Sequence, residues 1–321
     1  MSEIERELDI CVLTGGTSSE REVSLKSGER VYRALEEGSA ELNPFRGEFS
    51  EEEDLLDLVV GSDLVFNALH GGIGEDGTVQ ALLDLLEIPY TGTGPLGSAI
   101  AMNKLASKKA FHRASVRTPA FRAKRGTSFE KLVQRVDGEF SYPVMVKPAK
   151  EGSSRGISIA DDREDLYEKL RETEENYGEV FAEEMIDGKE VTAGVLRHDG
   201  ELKALPLVEI RVKGERFFNY RAKYTPGETE FIVPAEVPDD LAHEVKDRAL
   251  RSHEEFGCRG YSRVDFIIGD KGGVYGLEVN TLPGMTEMSD LPLAAQEAGI
   301  GFPDLVGEMI ENVVEMNDIR R

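Results

Sequence analysis

The sequence predicts an α/β protein that opens on a parallel sheet and continues into strand-rich segments, and three observations carry that reading. Two strand, glycine-loop and helix units follow one another at the N-terminus, an alternation that builds parallel sheets with ligand sites at the loops after the strands. Beyond about residue 103 the pattern changes to strands joined by glycine- and serine-bearing loops. Near the C-terminus one hairpin sorts its residues into an apolar and a charged face.

Composition bounds the function. The 321 residues suffice for two or three domains, and 40% are hydrophobic, as in a globular enzyme. The 62 acidic residues against 38 basic ones give a net charge of −24, which argues against a nucleic-acid partner because a phosphate backbone demands a basic footprint. Such a surface favours solubility and suits a salty or hot habitat equally. Cys11 and Cys258 lie in or beside apolar runs and match no metal or redox spacing, so both are expected as buried free thiols. The acidic N-terminus has no signal-peptide core, and no stretch approaches about 18 uncharged apolar residues. No membrane partner is expected, and the cytoplasm is the expected location.

In chain order, residues 8–13 form an apolar strand that runs into Thr14-Gly-Gly-Thr-Ser-Ser-Glu20. A helix to about Glu37 follows, burying Val23, Val31, Ala34 and Leu35. Strand 64–69, loop His70-Gly-Gly-Ile-Gly-Glu-Asp-Gly77 and helix 78–87 repeat the plan. Neither loop has the dinucleotide spacing Gly-x-Gly-x-x-Gly, so each is either a ligand loop or a tight turn. Helix 98–114 carries Lys104 and leads through Thr118-Pro119 into the next region. Strand residues up to Lys147, the loop Glu151-Gly-Ser-Ser154-Arg-Gly156 and a second strand then offer backbone N–H groups, hydroxyls and a fixed lysine to a phosphate. This is not a Walker loop. After helix 163–177, the apolar segment 180–186 can hold an adenine by its backbone, though a plain edge strand reads the same. Hairpin 191–207 turns at Asp199-Gly200. The aperiodic run 211–230 is expected to be a lid, and helices 239–256 and 303–316 complete the chain.

The hairpin between those helices joins Arg263-Val-Asp-Phe-Ile-Ile to Val274-Tyr-Gly-Leu-Glu-Val-Asn280 through Gly269-Asp-Lys-Gly-Gly. Pairing Gly269 with Val274 puts Val264, Phe266, Ile268, Tyr275, Leu277 and Val279 on one apolar face. Asp265 then lies opposite Glu278, and Arg263 opposite Asn280. Opposed side chains sit roughly 5 Å apart and like charges there are unfavourable, so the carboxylates need a cation. Mg²⁺ held by two carboxylates and an amide, with positions left for phosphates, meets the need. A solvated face on which Asp265 pairs with Arg263 or a lysine meets it as well.

The motifs Gly15-Gly-Thr-Ser-Ser-Glu-Arg-Glu-Val-Ser24, His70-Gly with Gly74-Glu-Asp-Gly-Thr78, Lys147-Pro with Glu151-Gly-Ser-Ser154, Ala222-Lys-Tyr224, Arg263-Val-Asp265 and Glu278-Val-Asn-Thr-Leu-Pro-Gly-Met-Thr286 occur in that order. Together they resemble the D-alanine–D-alanine ligases of the ATP-grasp superfamily, over residues 12–314. The resemblance implies a three-domain ATP-grasp architecture: a Rossmann-like N-terminal domain at 1–102, a central subdomain at 103–187, and a catalytic domain at 188–321 with its lid at 211–230. It also implies ATP-dependent joining of two D-alanines through an acyl phosphate, for peptidoglycan precursors.

By the same resemblance, Lys104, Lys147 and Lys223 hold ATP phosphates, while Glu183, Glu184, Met185, Ile186 and Glu190 line the adenosine site. Asp265, Glu278 and Asn280 bind two Mg²⁺ ions, for which Mn²⁺ can substitute. Glu20 takes the first D-alanine's ammonium with His70 beside it, and Ser153 and Tyr224 join Glu20 in a network that closes the lid. Arg263 and the Gly284 N–H polarise the oxyanion, and Ser289 binds the second carboxylate. A homodimer is the expected assembly. Tyr224 favours D-alanine over D-lactate as the nucleophile. A ligase joining D-alanine to D-lactate or D-serine is the rival of like chemistry, and a nucleotide-binding regulator without catalysis is the rival of another class. Arg155 and Asp290 depart from the family pattern. Asp290 borders the expected second-substrate pocket, where its carboxylate either repels a substrate carboxylate or, as preferred here, points away to cap the turn before Pro292.

Overall fold

The computed structural model describes residues 7–38, 41–50, 55–214, 225, 227–317 and 319. Its first sheet is parallel, with β1 (Leu8–Gly15) between β2 (Leu42–Phe49) and β3 (Leu64–Asn67). β1 from Ile10 to Leu13 and β3 from Leu64 to Phe66 read as apolar runs because helices cover both faces of the sheet. On one face lies helix Arg21–Gly38, with Val31, Ala34 and Leu35 buried beside Leu305, Val306 and Met309 of helix Phe302–Met316. Val23 is only half-buried, because it turns from this core toward a cavity. Helices Leu55–Val59 and Thr78–Leu85 cover the other face. Cys11 is buried and Cys258 is half-buried, and both thiols are free. β2 escapes a periodicity reading because Pro44 interrupts it; an edge strand tolerates the missing N–H.

The expected helix 98–114 is two helices, Pro95–Met102 and Lys104–Arg113. Asn103 breaks them: its backbone is extended, and its side chain accepts hydrogen bonds from the N–H groups of Leu105 and Ala106, both at 3.1 Å. Lys104 therefore opens a helix instead of riding mid-helix.

The second sheet is antiparallel in the order β4 (Phe121–Ala123), β7 (Val180–Glu184), β5 (Val144–Pro148), β6 (Ser158–Ala160). Helices Phe129–Glu139 and Arg163–Tyr177 bury their apolar sides against it. In the third sheet β8 (Gly188–His198) pairs with β9 (Glu201–Ala204), β10 (Val208–Val212) and β12 (Tyr261–Gly269). β11 (Thr229–Ile232) and β13 (Val274–Asn280) close the two edges. Helices Lys104–Arg113 and Asp239–Glu255 share a core with the sheet's apolar face. The expected lid is ordered at its ends, where Arg211 pairs with Glu230 and Val212 with Thr229 in β10 and β11. Its centre, with Lys223 and Tyr224, lies outside the described residues.

The decisive hairpin keeps the expected register at its functional end, with Arg263 opposite Asn280 and Asp265 opposite Glu278. Past Asp265 the register shifts by one, so that Phe266 pairs with Gly276 and Ile268 with Val274. Val264, Phe266, Ile268 and Val279 lie in the core as expected, and the bulge corrects the other two positions. Val274, not Tyr275, joins the core, and Leu277 turns to the opposite side. The cause is Gly276: a Cβ there would come within 2.9 Å of the buried Phe111 ring, so the backbone packs directly on that ring and the extra residue is taken up beside it. Helices Leu55–Val59, Phe129–Glu139 and Asp290–Glu297 were not expected, although Ser289 before Asp-Leu-Pro is a helix-start signal. No helix among the described residues is long and apolar enough to cross a membrane.

Candidate active site

Two cavities meet at Lys104 and Glu278. The larger, of about 350 Å³, lies below the loops that follow β1 and β3 and is lined by Glu20, His70, Ser153, Arg263, Gly284 and Ser289 among others. The smaller, of about 210 Å³, lies between the second and third sheets. Its walls include Lys147, Glu183, Glu184, Met185, Ile186 and Glu190. Asp265 also reaches the smaller cavity, and Asn280 the larger. Every expected site residue within the described part of the chain thus lines one or both.

Helix Arg21–Gly38 and its preceding loop set the entrance. Ser153 Oγ donates to Glu20 Oε1, and Arg155 Nη1 donates to Ser19 Oγ at 3.0 Å, tying the glycine-serine loop to the loop after β1. Arg155, the departure from the family pattern, is thus a strap between loops. Gly71 is required here: its φ is +66°, and a Cβ would fall 2.6 Å from Glu20 Oε2. His70 is buried, with Nε2 3.1 Å from Ser27 Oγ and Nδ1 3.6 Å from Glu75 Oε1. Ser27 also accepts from the Met285 N–H at 3.2 Å, fixing the loop that carries Gly284. Ser289 Oγ accepts from the Thr286 N–H at 3.0 Å, directly beside Gly284.

At the hairpin, Arg263 donates through Nε and Nη2 to the two oxygens of Asp265, both at 2.8 Å. Thr192 Oγ1 donates to Asp265 Oδ1 at 2.6 Å. The ion pair that the plainer reading of this face required is therefore present. Asp290 does not point away: it lines the larger cavity, with Oδ2 3.5 Å from Arg263 Nη1. Burial opposes the charge on Arg263, but Asp265 above all, with Asp290 and Glu278, outweighs it and holds the guanidinium above its ordinary range. Glu278 faces Lys104 Nζ at 3.3 Å, and Lys104 also donates to the Glu151 carbonyl at 2.8 Å. Asn280 Oδ1 accepts from the Leu282 N–H at 3.0 Å and keeps a second lone pair.

Deeper in, Glu183 is not an open acid for a ligand. Its Oε1 lies 2.6 Å from Lys147 Nζ and its Oε2 contacts Lys108 Nζ. Burial works against its charge, but the two ammoniums prevail and hold its carboxyl below the usual range. The sequence reading missed Lys108, although it stands four residues after Lys104 on the same helix face. It also missed two apolar walls of the smaller cavity, Ile267, which shares the Asp265 face of β12, and Leu277, which the bulge turns there.

The chain is similar to known proteins over most of its length. Residues 109–311 match the family model described as D-ala D-ala ligase C-terminus, and residues 46–93 match D-ala D-ala ligase N-terminus. A D-alanine–D-alanine ligase of Syntrophotalea carbinolica is 44% identical over 304 residues, 94% of each chain. The crystal structure of the Bacillus anthracis D-alanine–D-alanine ligase complexed with ATP superposes with a TM-score of 0.82 at 32% identity, covering 97% of this chain and 99% of the other. The VanG D-Ala:D-Ser ligase of Enterococcus faecalis gives the same TM-score at 27% identity, covering 96% and 100%.

Proposed function

The chain belongs to the D-alanine–D-alanine ligase family, and from that premise we propose how its own residues carry out the reaction. It is an ATP-dependent ligase that joins two D-alanines for cell-wall synthesis. The observation that carries the residue assignment is the opposed pair Asp265 and Glu278, with Arg263 between Asp265 and a cavity that Glu20, Ser153 and Gly284 line from the other side.

Two carboxylates facing each other across a strand pair, with an amide oxygen two residues on, form a hard-oxygen donor set that fits Mg²⁺. Asp265, Glu278 and Asn280 would hold it. When bound, the metal neutralises phosphate charge, and Mn²⁺ satisfies the same donors. Lys104 and Lys147 enter the two cavities as fixed cations for the phosphates, with Lys223 assigned to the same task. The adenosine lies against Met185, Ile186, Ile267 and Leu277, with Glu183, Glu184 and Glu190 around it. Glu20, oriented by Ser153, binds the ammonium of the first D-alanine, and His70 stands beside it. The carboxylate of that D-alanine attacks the terminal phosphate of ATP, releasing ADP and leaving an acyl phosphate. The amine of the second D-alanine, held by Ser289 through its carboxylate, attacks the acyl carbon, loses a proton and expels inorganic phosphate. Arg263 and the Gly284 N–H stabilise the tetrahedral oxyanion. Tyr224 completes the lid network with Ser153.

The three sheets support a division at 1–102, 103–187 and 188–321, with the lid within 211–230. We place the enzyme in the cytoplasm as a homodimer. The exposed Leu56, Val60 and Leu85 around the outer helices of the first sheet support that assembly. The test is ADP release with ATP and Mg²⁺ in the presence of D-alanine, L-alanine, D-lactate or D-serine, with the products separated. D-alanine alone should sustain turnover and give D-alanyl-D-alanine. In mixtures with D-lactate, mainly D-alanyl-D-lactate would overturn the assignment of the nucleophile.

A further inference from the structure

Lys108 is a buried charge that the reaction as described does not use. Only 4% of the residue is exposed, and its ammonium has three acceptors for its three hydrogens. They are Glu183 Oε2, Thr118 Oγ1 at 2.8 Å and the Pro119 carbonyl at 3.3 Å. Burial pulls the Lys108 amine below its ordinary range, but three converging acceptors are the setting of an ammonium, and the Phe121 and Phe181 rings add their faces at 5.1 and 5.8 Å. No donor is left over for a ligand, so Lys108 acts through its neighbours. Glu183 is shared: its other oxygen is 2.6 Å from Lys147 Nζ, which faces the smaller cavity.

The charges decide what this sharing does. With Lys108 charged, the trio Lys108, Glu183 and Lys147 carries one net positive charge, and the exit for it is Lys147. Without that charge, Glu183 and Lys147 would close into a neutral pair and the cavity would lose its cation. Lys108 also binds helix Lys104–Arg113 to β7 and to the segment that precedes β4, so one ammonium joins the helix that carries Lys104 to the strand whose Glu183 holds Lys147 of β5.

We propose that Lys108 is a positioning residue that neutralises Glu183 and thereby leaves the charge of Lys147 free for the phosphates of the nucleotide. The inference rests on the reading that the smaller cavity takes ATP. It differs from a packing role in one respect: it acts on phosphates and not on the base.

The test is calorimetric binding of ATP and of adenosine to the full chain, for the unmodified protein, Lys108→Met, Glu183→Gln and the double variant. In Lys108→Met the ratio of ATP to adenosine affinity should fall about tenfold, the scale of one lost charge-assisted contact. The double variant should restore the ratio, because no carboxylate remains to quench Lys147. In steady state, Lys108→Met should raise KM for ATP while kcat at saturating ATP and KM for D-alanine hold. Equal weakening of ATP and adenosine, or a ratio in the double variant as low as in Lys108→Met, would overturn the proposal in favour of packing. If Lys108→Met fails to fold, Glu183→Gln decides: its ratio should be no lower than that of the unmodified protein, and a lower ratio refutes the idea. Absence of ATP binding by the unmodified protein would instead refute the nucleotide site itself.

Discussion

Residue types demanded by chemistry were the most legible part of the sequence. A carboxylate pair with a flanking arginine, and a lysine before a glycine-serine loop, are the residue types that phosphoryl transfer asks for, so Asp265, Glu278, Arg263 and Lys147 could be proposed without coordinates, whereas Lys104 was proposed from the resemblance alone. What could not be read was how each charge is balanced. Glu183 reads as an acid near an adenosine; its two lysine partners appear only when helix Lys104–Arg113 and β5 are laid against β7. Gly276 is the second case, since its packing on Phe111 depends on a residue far away in sequence. Gly276→Val should overpack that contact and destabilise the protein by about 1–3 kcal/mol. Urea unfolding checks this, and an unchanged midpoint would mean that the bulge has another cause. Asp265→Asn should itself lower stability by about 1–3 kcal/mol, because Arg263 loses a buried charged partner. The same unfolding measurement reads that loss separately from turnover.

Among the elements, the long helices and the alternating strands were legible because their apolar periods are undisturbed. The reading failed where local chemistry interrupts a period: Pro44 in β2, Asn103 between two helices, and Ser289 before a helix that begins with Asp290. Helix Asp239–Glu255 carries a consequence for pH. His253 on it is 3% exposed, with Nδ1 2.8 Å from Ser262 Oγ, and burial, with Arg197 adding to it, lowers the imidazole from 6.5 to about 4. A depressed native value means that the unfolded chain takes up the proton first. The stabilisation is whole above pH 6.5, declines as pH falls toward about 4, and amounts to roughly 3 kcal/mol over that window. In His253→Gln the fall in unfolding free energy between pH 7 and pH 4.5 should be shallower than in the unmodified protein. Equal slopes would contradict the burial argument.

Over the whole molecule, a net charge of −24 is set against a cleft where Lys104, Lys147 and Arg263 converge, so in this reading phosphate binding depends on a few fixed cations and not on the surface. The packing of helix Phe302–Met316 on helix Arg21–Gly38 brings Glu20 and His70 over the hairpin that carries the carboxylates. No local pattern encodes that long-range closure, which is why the site had to be inferred from ordered motifs. The central claim is that Asp265 and Glu278 organise phosphoryl transfer around Mg²⁺, and Glu278→Gln tests it most cleanly, since Asp265 also supports Arg263. The measurement is ADP release at saturating ATP and D-alanine as a function of Mg²⁺ concentration. The account predicts that Glu278→Gln removes most turnover and raises the Mg²⁺ needed for half-maximal rate by about tenfold or more. Folding should stay intact. An Mg²⁺ dependence identical to that of the unmodified protein would contradict it.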